Sequence, residues 1–106
     1  MTDAQTQLLR RVKEVVLALE PAAQVILYGS RVREAAAEDS DWDILVLLEG
    51  AVDDSRTDLV RHALYEIEWE TGSVLSSVVM STADWNAPRF RVTPFYQSVQ
   101  REGAVL

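Results

Sequence analysis

Gly29 and Ser30 form a short polar segment directly after an apolar run, where the chain is expected to turn. Glycine has no side chain, so a phosphate group can approach its backbone closely. Ser30 adds a hydroxyl donor and can lead into a helix, whose unpaired N–H groups attract anions. Arg31 and Arg33 place two cations within reach of the same point. The segment predicts a phosphate-binding loop, and the alternative is an ordinary strand-to-helix turn capped by serine.

Two carboxylates, Asp41 and Asp43, follow after the ten residues 31–40. Residues two apart on a strand point to the same face, so these side chains are expected to stand side by side. Like charges that close are unfavourable unless a cation lies between them. Magnesium prefers one or two carboxylates plus phosphate oxygens, and such ions can activate an attacking oxygen and stabilise a leaving pyrophosphate. The alternative is a solvated acidic turn that also includes Glu38 and Asp39.

Either feature alone is compatible with a purely structural role. Together they are complementary, because a phosphate cradle at one strand end and a cation-binding pair at another strand end form two halves of one site. The pattern therefore predicts that a nucleoside triphosphate and Mg²⁺ bind at the mouth between these two segments.

Three segments rich in β-branched and apolar residues predict strands at 24–28, 42–48 and 74–80. Gly29 ends the first strand, and the second begins within the pair of aspartates. Trp42 alternates with those aspartates, so its side chain is expected on the opposite face, in the core.

Apolar residues at helical spacing predict long helices over 3–19 and 53–71. Thr2 or Asp3 can cap the first helix, and Gly72 stands where a C-terminal glycine cap of the second belongs. The expected apolar stripes are Leu8, Val12, Val15, Val16 and Leu19 on the first helix and Leu59, Ala63, Leu64 and Ile67 on the second.

Shorter helices are predicted at 31–38, around Trp85 after the capping segment 81–84, and from Thr93-Pro94 onward. Without repeats or linkers, the chain is predicted to be a single domain, residues 1–106. Its fold class is α+β, with a mixed three- to four-stranded sheet and helices packed mainly on one side.

The composition of the 106 residues, 48% hydrophobic and 25% charged, is typical of a globular domain. Seventeen acidic residues against ten basic ones give a net charge of −7, which disfavours nucleic acid as the main partner. Cysteine is absent, which excludes disulfides and cysteine-ligated metals. No apolar run approaches the roughly 20 residues of a membrane helix, and no secretory signal is evident, so a cytoplasmic location is expected.

The segment from Gly29-Ser30 through ten residues to Asp41-Trp42-Asp43 resembles the GS-x10-DxD signature of nucleotidyltransferases related to polymerase beta. The longer stretch YGSRVREAAAEDSDWDILVLL is similar to the GSRARG...SDxDLxV form of the minimal nucleotidyltransferase domains. The segments VVMSTADW and FYQSVQREGAVL also look like the ends of such domains. The resemblance covers most of the chain and implies the polymerase beta-like fold.

That resemblance implies that Gly29 and Ser30 hold the triphosphate of ATP, with the two nearby arginines as further phosphate contacts. Asp41 and Asp43 would be the catalytic residues that bind Mg²⁺. The implied reaction transfers a nucleoside monophosphate, AMP in the expected case, to a hydroxyl and releases pyrophosphate. Minimal domains of this family are often antitoxins paired with a HEPN-domain ribonuclease toxin, and some adenylylate a tyrosine of that toxin.

The chain departs from the family pattern at two places. Glu34 follows Arg33 where the family commonly has glycine. Many active members also carry a third acid on the third strand, which helps to deprotonate or position the attacking hydroxyl, whereas this chain has Ser76 and Ser77 in that region. Three glutamates of the preceding helix could substitute or could form a solvated helix face: Glu66, Glu68 and Glu70.

Two other functions stay open at this point. A binding module could neutralise its partner by steric contact without chemistry, which would agree with the missing third acid and the acidic surface. A small-molecule nucleotidyltransferase of the antibiotic-modifying kind resembles the same signature, but such enzymes generally carry extra elements for the drug. Among other candidates, His62 is expected at the surface, Trp69 and Trp85 in packing, and Tyr28 either in the core or against a ligand.

Overall fold

The computed structural model of this chain describes residues 1–32 and 40–106. Its elements in chain order are α1 (Asp3–Leu19), β1 (Gln24–Tyr28), β2 (Trp42–Leu48), α2 (Asp54–Thr71), β3 (Leu75–Ser81), α3 (Thr82–Trp85), α4 (Pro88–Arg91), α5 (Pro94–Glu102) and β4 (Ala104–Val105). The predicted α+β class with a mixed sheet flanked by helices is confirmed. The helix predicted at 31–38 falls, from residue 33 onward, outside the described residues.

The sheet has the strand order β3-β2-β1-β4. β1 pairs antiparallel with β2 and β4, and β2 pairs parallel with β3 through the crossover helix α2. Tyr28 of β1 and Ser76 of β3 both lie opposite Asp43 of β2. These three side chains therefore form a row across one face of the sheet, near the ends where β1 stops and β2 starts.

Both faces of the sheet are covered. On β2, Ile44 and Val46 pack with the long helices α1 and α2, whereas Leu45 and Leu47 point to the opposite face. That second face is covered by aromatic residues from α3, α4 and α5: Trp85, Phe90, Phe95 and Tyr96. The expectation of helices mainly on one side was therefore wrong, because α1 and α2 cover one face and the three short helices cover the other.

Local side-chain signals define the helix ends. Thr2 begins α1 with a capping box, in which its hydroxyl accepts from Gln5 N (3.1 Å) and Gln5 Oε1 accepts from Thr2 N (2.9 Å). Asp53 caps α2, and Gly72 ends it in the left-handed conformation. Thr93 caps α5. Within residues 1–32 and 40–106, no helix is both long and apolar enough to cross a membrane.

Some expected core residues prove to be exposed. Leu59 is 59% exposed, and Val60 takes its place in the buried stripe of α2 together with Leu64. Leu19 at the end of α1 is 43% exposed, and Trp69 is 75% exposed rather than packed in the core. Adjacent apolar residues on a helix lie about 100° apart, so the pattern alone allows more than one buried face. The contact with β2 and β3 selects the face that contains Val60.

Candidate functional site

Gly29 starts a tight turn at the end of β1, here called the Gly29 turn (residues 29–32). Val32 N donates to the Gly29 carbonyl (3.2 Å), which places Ser30 and Arg31 at the centre of the turn. Gly29 has a φ of +78°, in the left-handed region that favours glycine. A Cβ at this position would overlap Asp43 Oδ2 and would lie 3.1 Å from Asp43 Cγ. Glycine therefore permits both the turn and the close approach of a carboxylate.

Asp41 and Asp43, here called the acid pair, flank the start of β2. Asp41 is exposed and lies just before the strand, and Asp43 is half-buried within it. Burial raises the pKa of the Asp43 carboxyl, and the negative charge of Asp41 raises it further. The two carboxylates are thus close enough to repel each other, and a cation between them would relieve that repulsion.

Ser76 occupies the place on β3 directly opposite Asp43. Its hydroxyl donates to Asp41 Oδ2 (3.1 Å), so the row across the sheet continues with a hydroxyl and not with a carboxylate. In the described part of the chain, no group of three or more His, Cys, Asp or Glu side chains could hold a metal ion. Among the described residues, the acid pair is thus not joined by a third such side chain.

The three glutamates of α2 do not substitute for a third acid. Glu68 Oε2 accepts from Leu75 N (3.0 Å), and Glu66 Oε1 lies 3.1 Å from His62 Nε2, one helical turn away. Glu70 forms an ion pair with Arg11 of α1. Helix α2 covers the face of the sheet opposite the acid pair, so these carboxylates lie on the other side of the sheet from Asp41 and Asp43.

Tyr28 forms one wall of the site. It pairs with Asp43 across the two strands, and burial together with the Asp43 charge raises the pKa of its hydroxyl. Its ring packs edge-on against Phe95 of α5, with centroids 5.3 Å apart, and Phe95 packs in turn against Trp85 (5.8 Å). The position of Tyr28 beside Gly29 marked it as a candidate in the sequence, but its pairing with Asp43 depends on strand register.

The side chain of Arg31 contacts the start of β2. Its Nε and Nη2 both donate to the Ser40 carbonyl, at 3.1 and 2.7 Å, and its guanidinium lies 4.3 Å from the centre of the Trp42 ring. Trp42 is buried among residues of α1 and α2, as expected. The phosphate contact expected of Arg31 stays a prediction, and Arg33 lies outside the described residues.

The geometry suits a divalent cation shared with a polyphosphate. Mg²⁺ is commonly held by one or two carboxylates with the remaining positions taken by phosphate oxygens and water. The acid pair supplies the carboxylates, and the contact between Asp43 and Gly29 puts them beside a turn whose backbone a phosphate can approach. The two halves predicted from the sequence thus lie against each other, and the place where they meet is here called the Gly29–Asp43 site.

A family model described as "Nucleotidyltransferase domain" matches residues 9–80 of the chain. The matched span contains the Gly29 turn, the acid pair and Ser76. A search of curated proteins found no match.

Proposed function

The chain belongs to the nucleotidyltransferase domain family, and from this premise we propose that it binds ATP with Mg²⁺ and transfers AMP to a hydroxyl acceptor. In this reaction the acceptor oxygen attacks the α-phosphorus, and the bond from that phosphorus to the oxygen bridging to the β-phosphate breaks. Pyrophosphate leaves, and the hydroxyl proton is released to solvent. Bound Mg²⁺ would supply charge neutralisation for the phosphates and the leaving group.

In this proposal each half of the Gly29–Asp43 site has one role. Gly29 and Ser30 hold the triphosphate, and Asp41 and Asp43 hold the ion. The observation that carries the proposal is the contact between the Asp43 carboxylate and the backbone of Gly29. It supports binding of one ligand that carries both phosphates and a divalent cation, because neither half has to move far to reach it.

We further propose that the acceptor hydroxyl belongs to a HEPN-domain toxin and that the chain is its cytoplasmic antitoxin. The resemblance of residues 28–48 to minimal nucleotidyltransferase domains supports this assignment. Both faces of the small sheet are covered by the chain's own helices, so a large acceptor would approach at the edge where the Gly29 turn meets the acid pair. The net charge of −7 suits a partner with a basic RNA-binding surface.

A second candidate function is neutralisation of the same partner by steric contact alone. Ser76 favours this alternative, because it places a hydroxyl beside the acid pair at the register position opposite Asp43. A hydroxyl has a much higher pKa than a carboxylate and is a poor general base at neutral pH, so deprotonation of the acceptor would have less help.

Transfer can be tested by incubating the protein with α-labelled ATP, Mg²⁺ and a purified HEPN-domain toxin as the acceptor. Asp41→Asn and Asp43→Asn should abolish both labelling and Mg²⁺-dependent ATP binding measured by calorimetry. Asp58→Asn, an exposed aspartate on α2, is the matched control and should preserve both.

The same variants separate the two candidates. Neutralisation that survives in the Asp41→Asn/Asp43→Asn double variant, without labelling, would establish steric inhibition instead of transfer. A wild-type protein that neither labels the partner nor binds ATP with Mg²⁺ would refute the nucleotide-based proposal.

A further inference from the structure

Arg31 lies at the centre of the Gly29 turn, but its guanidinium is hydrogen-bonded to Ser40, the residue that precedes the acid pair. Two of its N–H groups donate to one acceptor, the carbonyl of Ser40, at 3.1 and 2.7 Å. Hydrogen bonds from a charged donor are shorter and stronger than neutral ones. Ser40 immediately precedes Asp41, so these bonds restrain the backbone from which the Asp41 side chain projects.

The residue that follows Asp41 is also in contact with Arg31. The guanidinium lies over the Trp42 ring at 4.3 Å, a distance at which a cation is attracted to an aromatic face. Trp42 is only 3% exposed, and its backbone N–H donates to the Val74 carbonyl (2.9 Å), so the residue beneath the guanidinium is itself held in place. Arg31 therefore contacts the neighbours of Asp41 on both sides in the chain.

These contacts lie on the face of the sheet away from the acid pair. Trp42 packs with the core beneath α1 and α2, whereas Asp43 shares its face with the aromatic layer. Arg31 and Trp42 line a cavity of about 400 Å³ together with Leu8 and Arg11 of α1. The guanidinium is thus directed toward α1 rather than toward the Gly29–Asp43 site.

We propose that Arg31 is a positioning residue, which holds Asp41 in place for metal binding through Ser40 and Trp42. The inference rests on the proposed metal–nucleotide function and gives this arginine a different role from a phosphate ligand. Asp41 is exposed and precedes β2, so restraint from its neighbours is what keeps its carboxylate beside Asp43 and within reach of Ser76.

The two roles predict opposite changes in metal affinity when no nucleotide is present. Removal of a cation near two carboxylates, by itself, strengthens the binding of a divalent ion because one repulsive charge is lost. Greater freedom of a metal-binding side chain weakens the binding of the ion. The loss of a group that orients such a side chain typically lowers metal affinity about 10-fold or more. The sign of the change therefore identifies the role of Arg31.

The experiment measures Mn²⁺ affinity by electron paramagnetic resonance without nucleotide, for the wild-type protein, Arg31→Gln, Arg31→Lys and Asp41→Asn. Arg101→Gln removes the same charge from an exposed position at the end of α5 and is the matched control. We expect about 10-fold weaker Mn²⁺ binding in both Arg31 variants. Lysine should not rescue it, because an ammonium cannot reproduce the forked pair of hydrogen bonds with the stacked contact.

A phosphate-ligand role would give a different pattern. Mn²⁺ affinity would be unchanged or higher in Arg31→Gln, and ATP affinity would fall in Arg31→Gln and recover in Arg31→Lys. That pattern would overturn the positioning role while leaving the proposed function intact.

Hydrogen exchange of residues 40–43 provides a second measurement that needs no ligand. Exchange should be faster in both Arg31 variants and unchanged in Arg101→Gln, and equal exchange in all of them would overturn the inference. If the wild-type protein shows no Mn²⁺ binding that depends on Asp41, the proposed function fails and the positioning role fails with it. If that binding is present but insensitive to both Arg31 substitutions, only the positioning role fails.

Discussion

Replacement of Gly29 with alanine is expected to disturb the Gly29–Asp43 site more than the fold. The added Cβ would overlap Asp43 Oδ2 and lie 3.1 Å from Cγ. The φ of +78° adds a second cost, about 1–2 kcal/mol for a residue with a Cβ in the left-handed region. Because the overlapping atoms end a short side chain, Asp43 can rotate away for about 1 kcal/mol more, the cost of an unfavourable rotamer.

Gly72 provides a matched control for the backbone term. Its φ is +75°, and a Cβ there would meet no atom within 4 Å. Gly72→Ala should therefore lower the free energy of unfolding by about 1–2 kcal/mol, from the left-handed conformation alone. Gly29→Ala should lower it by roughly 2–3 kcal/mol, with the difference assigned to displacement of Asp43.

A double-mutant cycle isolates that difference. In an Asp43→Ala background the obstructing carboxylate is gone, so Gly29→Ala should cost no more than Gly72→Ala does. Urea unfolding of the variants measures these free energies, since a domain of this size is expected to unfold in one transition.

Ligand binding gives the sharper readout. Gly29→Ala should weaken Mg²⁺-dependent ATP binding at least about 10-fold in calorimetry, because the metal-binding carboxylate is displaced. Gly72→Ala should leave it unchanged. Equal stability losses in the two variants, together with unaltered ATP binding in Gly29→Ala, would refute the inference that Asp43 and the turn share one ligand.

Three further predictions follow from the site and the core. Asp43→Asn should raise the free energy of unfolding at pH 7 without Mg²⁺, because the pKa of the Asp43 carboxyl is raised in the folded state. Urea unfolding at several pH values should show that this gain vanishes as the pH falls toward the ordinary aspartate pKa of about 3.9. Ser76→Asp should destabilise the ion-free domain by roughly 1 kcal/mol through repulsion from the acid pair and should tighten Mn²⁺ binding, whereas weaker binding would contradict the position assigned to this residue. Leu64→Ala should cost about 2–5 kcal/mol in urea unfolding, while Leu59→Ala should change stability by less than about 0.5 kcal/mol because that side chain faces water.

Local signals in the sequence predicted most element boundaries. The bounds of β1 and β2 are those expected, because Gly29 ends one strand and polar residues precede the other. The glycine cap at Gly72 and the Thr93-Pro94 start of α5 also agree with the structure. Such signals act over a few residues, so they are readable without knowledge of the tertiary structure.

The missed elements are two short segments, of which β4 depends on a contact with a distant part of the chain. β4 contains two residues and exists because Ala104 and Val105 pair with β1. α4 is a single four-residue turn after Ala87, and it packs its Phe90 ring against Trp85. Neither segment is long enough to show a hydrophobic period.

The geometry of the site was predictable only in part. The spacing of Gly29, Asp41 and Asp43 indicated two halves of a site, and the structure brings Asp43 against Gly29. Strand register, which sets Tyr28 and Ser76 opposite Asp43, cannot be read from one strand at a time. The direction of a long side chain such as Arg31 is equally unreadable, because the same residue could point to either face of the sheet.

Leu45 and Leu47 are covered by α3 and α5, whose residues lie beyond the matched span 9–80. A chain truncated after residue 80 would expose this face of the sheet to solvent. It would also lack Phe95, whose ring packs against Tyr28 beside Asp43. The smallest segment expected to fold on its own is therefore longer than the span that the family model matches. A fusion protein that carries this domain must include the aromatic residues of α3, α4 and α5.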